Sequence, residues 1–168
     1  MRFERLRSAA SEHFIPAMDI YWSCFPLPMQ REYYAQECIM GEEDYRFELI
    51  MEDDAIAGLC LCWETAEFIY LEHLCVAHTF RGRGIGEAVL EKLKSEGKTL
   101  ITDADATKGQ AEYFVRRGFE VNDYTHIHPS YHAMFPGRGL ALLSWPYAIE
   151  EYEYEGFYEY LRDTVMAE

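Results

Sequence analysis

The chain has 168 residues, 49% of them hydrophobic, 15% aromatic and 27% charged. That composition excludes intrinsic disorder and low-complexity fibres, and the length suits one domain that buries roughly 70% of its unfolded surface. Lys and Arg number 15 against 30 Asp and Glu, a formal charge of −15. So acidic a surface argues against nucleic acid and anionic membranes, which are bound by neutralising phosphates. The five cysteines (Cys24, Cys38, Cys60, Cys62, Cys75) are odd in number, lack a Cys-x-x-Cys pair and lie mostly in apolar runs. They read as reduced thiols. The N-terminus lacks the basic-then-apolar shape of a signal peptide, and no run reaches about 18 uncharged apolar residues. These features together predict a soluble, cytoplasmic protein.

In chain order, residues 2–7 alternate as a short strand. Phe14, Ile15, Met18, Tyr21 and Trp22 recur at helical spacing from Ser11 to Cys24, and the Phe25-Pro26-Leu27-Pro28 cluster ends that helix. A second helix is expected over 29–39. Strands follow at 45–51 and 55–63, joined by the acidic turn Glu52-Asp53-Asp54, and then at 68–76. A glycine-rich turn leads into a helix over 85–96, stopped by Gly97. A strand at 99–102, a helix at 110–117, a strand from Phe119 to Tyr124 and a strand at 139–145 complete a core of residues 1–146. The acidic, Tyr-rich tail of 147–168 keeps Ile149, Tyr152, Phe157, Leu161 and Val165 near helical spacing, which predicts an appended helix interrupted only by Gly156. The whole reads as one mixed α/β domain.

Chemistry concentrates where the 68–76 strand ends. Arg81-Gly82-Arg83-Gly84-Ile85-Gly86 stands between that strand and a helix. Glycines let backbone approach a ligand, and the first N–H groups of a helix lack internal acceptors, which makes an anion seat. A nucleotide-triphosphate loop needs Lys-Ser or Lys-Thr after its glycines, and none follows here. A dinucleotide loop needs Gly-x-Gly-x-x-Gly, whereas the spacing is Gly82-x-Gly84-x-Gly86.

The pattern Arg81-x-x-Gly84-x-Gly86, five residues after Val76, resembles the acetyl-CoA loop of the GNAT superfamily of N-acetyltransferases, as does the later Ala111-x-x-Phe114-x-x-x-Gly118-Phe119. The resemblance implies a mixed, mostly antiparallel twisted sheet with helices on both faces, whose fourth and fifth strands splay around the pantetheine arm. It implies pantetheine pairing with the backbone of Leu74, Cys75 and Val76, diphosphate on the N–H groups of Arg81, Gly82, Arg83, Gly84, Ile85 and Gly86, and Phe114 beside the cofactor.

Acyl transfer to an amine needs something to accept the ammonium proton. Strand alternation puts Tyr70, Glu72 and Leu74 on one face and Leu71, His73 and Cys75 on the other. Glu72 lies four residues before Val76, where several family members carry a catalytic Glu or His. A carboxylate in so apolar a strand is costly unless solvated or paired, so Glu72 is expected to face a wet cleft as general base, with an exposed sheet face as the bland alternative. The family often places a proton-donating Tyr at Phe114. Here the tyrosine is Tyr113, one residue and about 100° around the helix. Thr107 stands where the family frequently has Asn. The segment from Tyr124 to Tyr131 looks like a donor-rich loop, His126 and His128 forming a pocket wall rather than a zinc site, with Tyr131 as a substitute acid.

The resulting expectation is an acetyl-CoA-dependent N-acetyltransferase with Glu72 as general base, no metal, a cationic amine acceptor and the capacity to form a homodimer. The alternative is a non-catalytic acyl-CoA-binding module that senses CoA or docks a partner.

Overall fold

Three largely apolar runs, residues 45–52, 55–64 and 68–76, pair in sequence order because short connections favour adjacent antiparallel strands, and the alternating segment 2–6 adds to the first of them. The computed structural model describes residues 1–167. It divides into two units, Met1–Lys98 and one that starts at Thr99. In the first, β1 (Arg2–Leu6), β2 (Tyr45–Glu52), β3 (Ala55–Glu64) and β4 (Phe68–Val76) form an antiparallel sheet in that order. The hairpin of β2 and β3 closes through Asp53 at φ 52°, a left-handed position that Asp tolerates better than most side chains. Helix α1 (Phe14–Cys24) buries Phe14, Ala17, Met18 and Tyr21, an i, i+3, i+4, i+7 stripe. Ile15 and Trp22 are 49% and 38% exposed, so the buried stripe is narrower than its apolar composition predicts. Helices α2 (Tyr33–Ile39) and α3 (Ile85–Lys94) complete this unit.

One irregularity in this sheet matters for function. Leu61 of β3 lies opposite His73 of β4, but Cys62 lies opposite Leu71. Glu72 is therefore the extra residue of a β-bulge, and strict alternation fails there. The side chains of Glu72 and His73 consequently both meet the segment between Tyr21 and Arg31, through Arg31 for Glu72 and through Met29 and Tyr21 for His73. The predicted opposition of these two residues is corrected by the bulge.

The second unit holds β5 (Thr99–Ala104), α4 (Gln110–Val115), β6 (Glu120–His128), β7 (Arg138–Trp145) and α5 (Glu151–Tyr160), the last continued by a wider turn at Leu161–Val165. Strand β7 pairs antiparallel with both β5 and β6. Helix α5 starts in a capping box, the Glu150 N–H donating to Glu153 Oε1 at 3.0 Å. It buries Phe157, followed by Leu161 and Val165 in the next turn. The tail is thus helical as its periodicity predicts. Gly156 lies on the exposed face, where missing side-chain volume leaves no hole. The expected loop at 124–131 is instead strand up to His128, and His126 and His128 are buried at 2% and 3% exposure. Among the described residues no helix is long and apolar enough to cross a membrane.

Candidate functional site

Strand β4 ends at Val76, and a single turn at His78–Phe80 carries the chain to α3. Gly82 and Gly84 adopt φ of 80° and 75°. A Cβ at either would meet nothing within 4 Å, so these glycines are needed for backbone conformation and not for space. Residues 81–84 are exposed while Ile85 and Gly86 are buried, so the turn meets solvent immediately before α3, whose first N–H groups have no acceptor within the helix. The two arginines do not simply reach into solvent. Arg81 donates from Nε to the Val76 carbonyl at 3.1 Å, and its guanidinium lies 3.9 Å from Cys24 Sγ. Arg83 stacks 5.0 Å over the Phe80 ring and donates to the Thr79 carbonyl. Both positive charges are thereby pinned beside the turn, a preorganised seat for an anion.

Backbone register places Leu74 opposite Cys60, Cys75 opposite Leu59 and Val76 opposite Gly58. Gly58 went unremarked in the sequence, yet a Cβ there would overlap the Cys75 carbonyl oxygen and sit 3.2 Å from the Val76 Cα. A lone glycine inside a strand is the available signal for such a close approach. Cys24 has a role that its reading as a reduced thiol does not convey. It sits half-buried at the end of α1, and its pKa falls to about 6, chiefly through a hydrogen bond from Cys75 and also through Ser23 and Arg81. The same pairing, with burial, pushes the Cys75 thiol upward.

Glu72 does not face a wet cleft. Its side chain is fully buried and takes a fork from Arg31, with N–O distances of 3.1 and 2.8 Å. The Trp63 indole N–H donates to the same carboxylate at 2.9 Å. Burial of this charge is tolerable because the Arg31 guanidinium, itself 5% exposed, neutralises it. Arg31 was not foreseen, and neither its position after the proline cluster nor its spacing marks it. Tyr21 joins the group: its hydroxyl accepts from the Arg31 N–H at 2.8 Å and lies 3.4 Å from His73 Nε2. Burial first, and then the Glu72 charge, drives the Tyr21 pKa well above its ordinary value.

In the second unit Phe114 packs edge-on against Tyr113 and Phe119, with centroids 5.3 and 5.4 Å away. Tyr113 lies under the Arg117 guanidinium at 3.6 Å. Thr107 closes a local turn, its N–H and hydroxyl both donating to Asp105 Oδ1. Tyr131 stands beside His128, its hydroxyl 3.5 Å from Nε2. His126 bridges Asp103 Oδ2 at 2.8 Å and the Tyr154 hydroxyl at 2.9 Å. Among the described residues no group of three or more His, Cys, Asp or Glu is placed to hold a metal ion.

Comparison with known families matches residues 11–127 to the acetyltransferase (GNAT) domain. Among solved structures, a GNAT-family acetyltransferase from Bacteroides thetaiotaomicron is similar with a TM-score of 0.89 at 20% identity, covering 100% of this chain and 99% of its own. The ribosomal-protein-S18-alanine N-acetyltransferase of Escherichia coli gives 0.61 at 17% identity, over 89% of this chain and 95% of its own. A GNAT acetyltransferase of Elizabethkingia anophelis, solved with acetyl-CoA bound, gives 0.60 at 17% identity, over 85% and 95%. A search of curated proteins finds no match.

Proposed function

This chain belongs to the GNAT acetyltransferases, and on that premise we propose that it transfers an acetyl group from acetyl-CoA to a primary amine by direct attack in a ternary complex. The observation that carries the reading is the exposed turn of residues 81–84, with two left-handed glycines opening onto the first N–H groups of α3. Those N–H groups suit a diphosphate, and Arg81 and Arg83 hold positive charge beside it in an otherwise acidic chain. The backbone of Leu74, Cys75 and Val76 is the proposed partner of the pantetheine arm. Bound acetyl-CoA supplies a thioester carbon open to a nucleophile. The acceptor ammonium first gives up one proton to water; the amine lone pair then forms the C–N bond as C–S breaks, and the proton lost from nitrogen as its N–H bond breaks is taken up by the departing thiolate.

Glu72 has a different place in this proposal from the one its sequence position suggests. A carboxylate forked by Arg31 and bonded to Trp63 already has its charge balanced, and ammonium would have to displace a guanidinium to be deprotonated by it. We therefore assign Glu72 as a positioning residue that fixes Arg31 and the α1–α2 connection against β4. The proposed acceptor is cationic, consistent with the net charge of −15, which attracts positive ligands and repels anionic ones.

An amine panel with acetyl-CoA, read by thiol release, tests the reading. Release that depends on an amine is the expected result. Phe114, which has no proton to donate, favours the second reading of a non-catalytic acyl-CoA-binding module. Saturable acetyl-CoA binding without release for any amine would establish that alternative.

A further inference from the structure

Tyr154 and Tyr158 are four residues apart on α5, as are Glu155 and Glu159, so each pair shares a helix face. On the neighbouring strand β6, Thr125 and Ile127 are exposed, while His126 between them is buried against Tyr154, Phe157 and Tyr158. Between helix and strand lies a groove of about 420 Å³, lined by Thr125, Ile127, the two tyrosines, the two glutamates and Arg162, within the range of small-ligand sites. Its aromatic wall is rigid. The Tyr154 ring stacks on Tyr124 with centroids 4.5 Å apart and 4° between planes, and the Tyr158 hydroxyl donates to the Ile127 carbonyl at 3.0 Å.

The polarity of the groove follows from the buried chain behind it. Asp103 Oδ2 meets His126 Nε2 at 2.8 Å, with both side chains at least 96% buried. A carboxylate only accepts, so the imidazole Nε2–H donates to Asp103 Oδ2. On the other side of the ring the Tyr154 hydroxyl lies 2.9 Å from Nδ1. It keeps its proton, since burial first and then Tyr158 and Asp103 push its pKa up to about 12. With one contact taken by the imidazole, the phenol oxygen keeps a lone pair for a ligand's donor. The exposed carboxylates of Glu155 and Glu159 add acceptors at the rim, and the two ring faces attract positive charge. Arg162 offsets them only in part, because its charge is shared between Glu159 and Asp163, which accepts from its Nε and a guanidinium nitrogen at 2.8 and 2.9 Å.

We propose that the groove between β6 and α5 is a binding site for an alkylammonium ion, held by Glu155, Glu159 and the Tyr154 oxygen. Its role rests on the amine reading above; its chemistry rests on the groove itself, so the two fail separately. The test is calorimetric titration of the full chain with putrescine at about pH 8, in the absence of acetyl-CoA. Saturable binding is expected for putrescine and not for the neutral isostere 1,4-butanediol. The double variant Glu155→Gln/Glu159→Gln changes only exposed side chains and is expected to weaken binding about tenfold. Tyr154→Phe is expected to weaken it by a similar factor of about ten, through loss of a hydrogen bond to a charged donor. No binding up to about 10 mM, equal binding of the diol, or an unchanged Kd in the Glu double variant would each overturn the proposal. Putrescine that binds with these dependences but is never acetylated supports the site and counts against the amine-transfer reading.

Discussion

Replacing Glu72 by Gln keeps the shape of the side chain and removes its charge, which separates a positioning role from proton transfer. The variant leaves Arg31 charged at 5% exposure with a neutral partner. Breaking a buried pair by removing one charge costs about 3–5 kcal/mol. The Gln carbonyl oxygen still accepts one hydrogen bond, from Arg31 or from Trp63, so the lower end, about 3 kcal/mol, is the expected loss. For a chain of this size each kcal/mol moves Tm by roughly 2–4 °C, which predicts a drop of about 6–12 °C by circular dichroism. A double variant, Arg31→Met with Glu72→Leu, removes both charges and is expected to recover most of that loss. About 1 kcal/mol remains for the Trp63 N–H left without its acceptor. In the acetylation assay the pH profile of kcat/KM should keep its shape in Glu72→Gln, because the Glu72 carboxylate is already engaged by Arg31 and Trp63. A Tm within about 2 °C of the parent, together with a kcat reduced roughly 10²–10⁴-fold, would refute this reasoning and make Glu72 the base.

Gly84→Val forces a β-branched residue into φ of 75°, and acetyl-CoA should no longer raise Tm in this variant; an undiminished shift would remove the turn from the cofactor site. Gly58→Ala should lower stability by about 1–3 kcal/mol, because the new methyl collides with the Cys75 backbone and not with a flexible side chain; a chemical denaturation midpoint equal to the parent's would contradict the close approach of β3 and β4. Cys24, with a pKa near 6, is thiolate at neutral pH, so its alkylation by iodoacetamide should be nearly flat from about pH 7 to 8 and fall about tenfold per unit below 6. Peptide mass spectrometry that finds the exposed Cys38 labelled well ahead of Cys24 at neutral pH would count against that assignment.

Periodicity along the chain was enough to locate the strands and helices to within a few residues, including the helical tail, because burial of one face repeats every two or 3.6 positions and leaves a local trace. The glycine turn was legible for the same reason: left-handed backbone at Gly82 and Gly84 is a local demand, met by the residue type itself. The environment of Glu72 was not. Its partner Arg31 lies 41 residues away in sequence, and the bulge that turns Glu72 and His73 toward one segment is a register shift between strands, invisible to alternation within β4. His126 shows the same divide. Its place on a strand face is a matter of spacing, but its hydrogen-bond partners are Asp103, 23 residues before it, and Tyr154, 28 residues after it. Only the folded chain brings these side chains within 3 Å of the imidazole, and tertiary structure alone decides which groups a buried ring nitrogen meets.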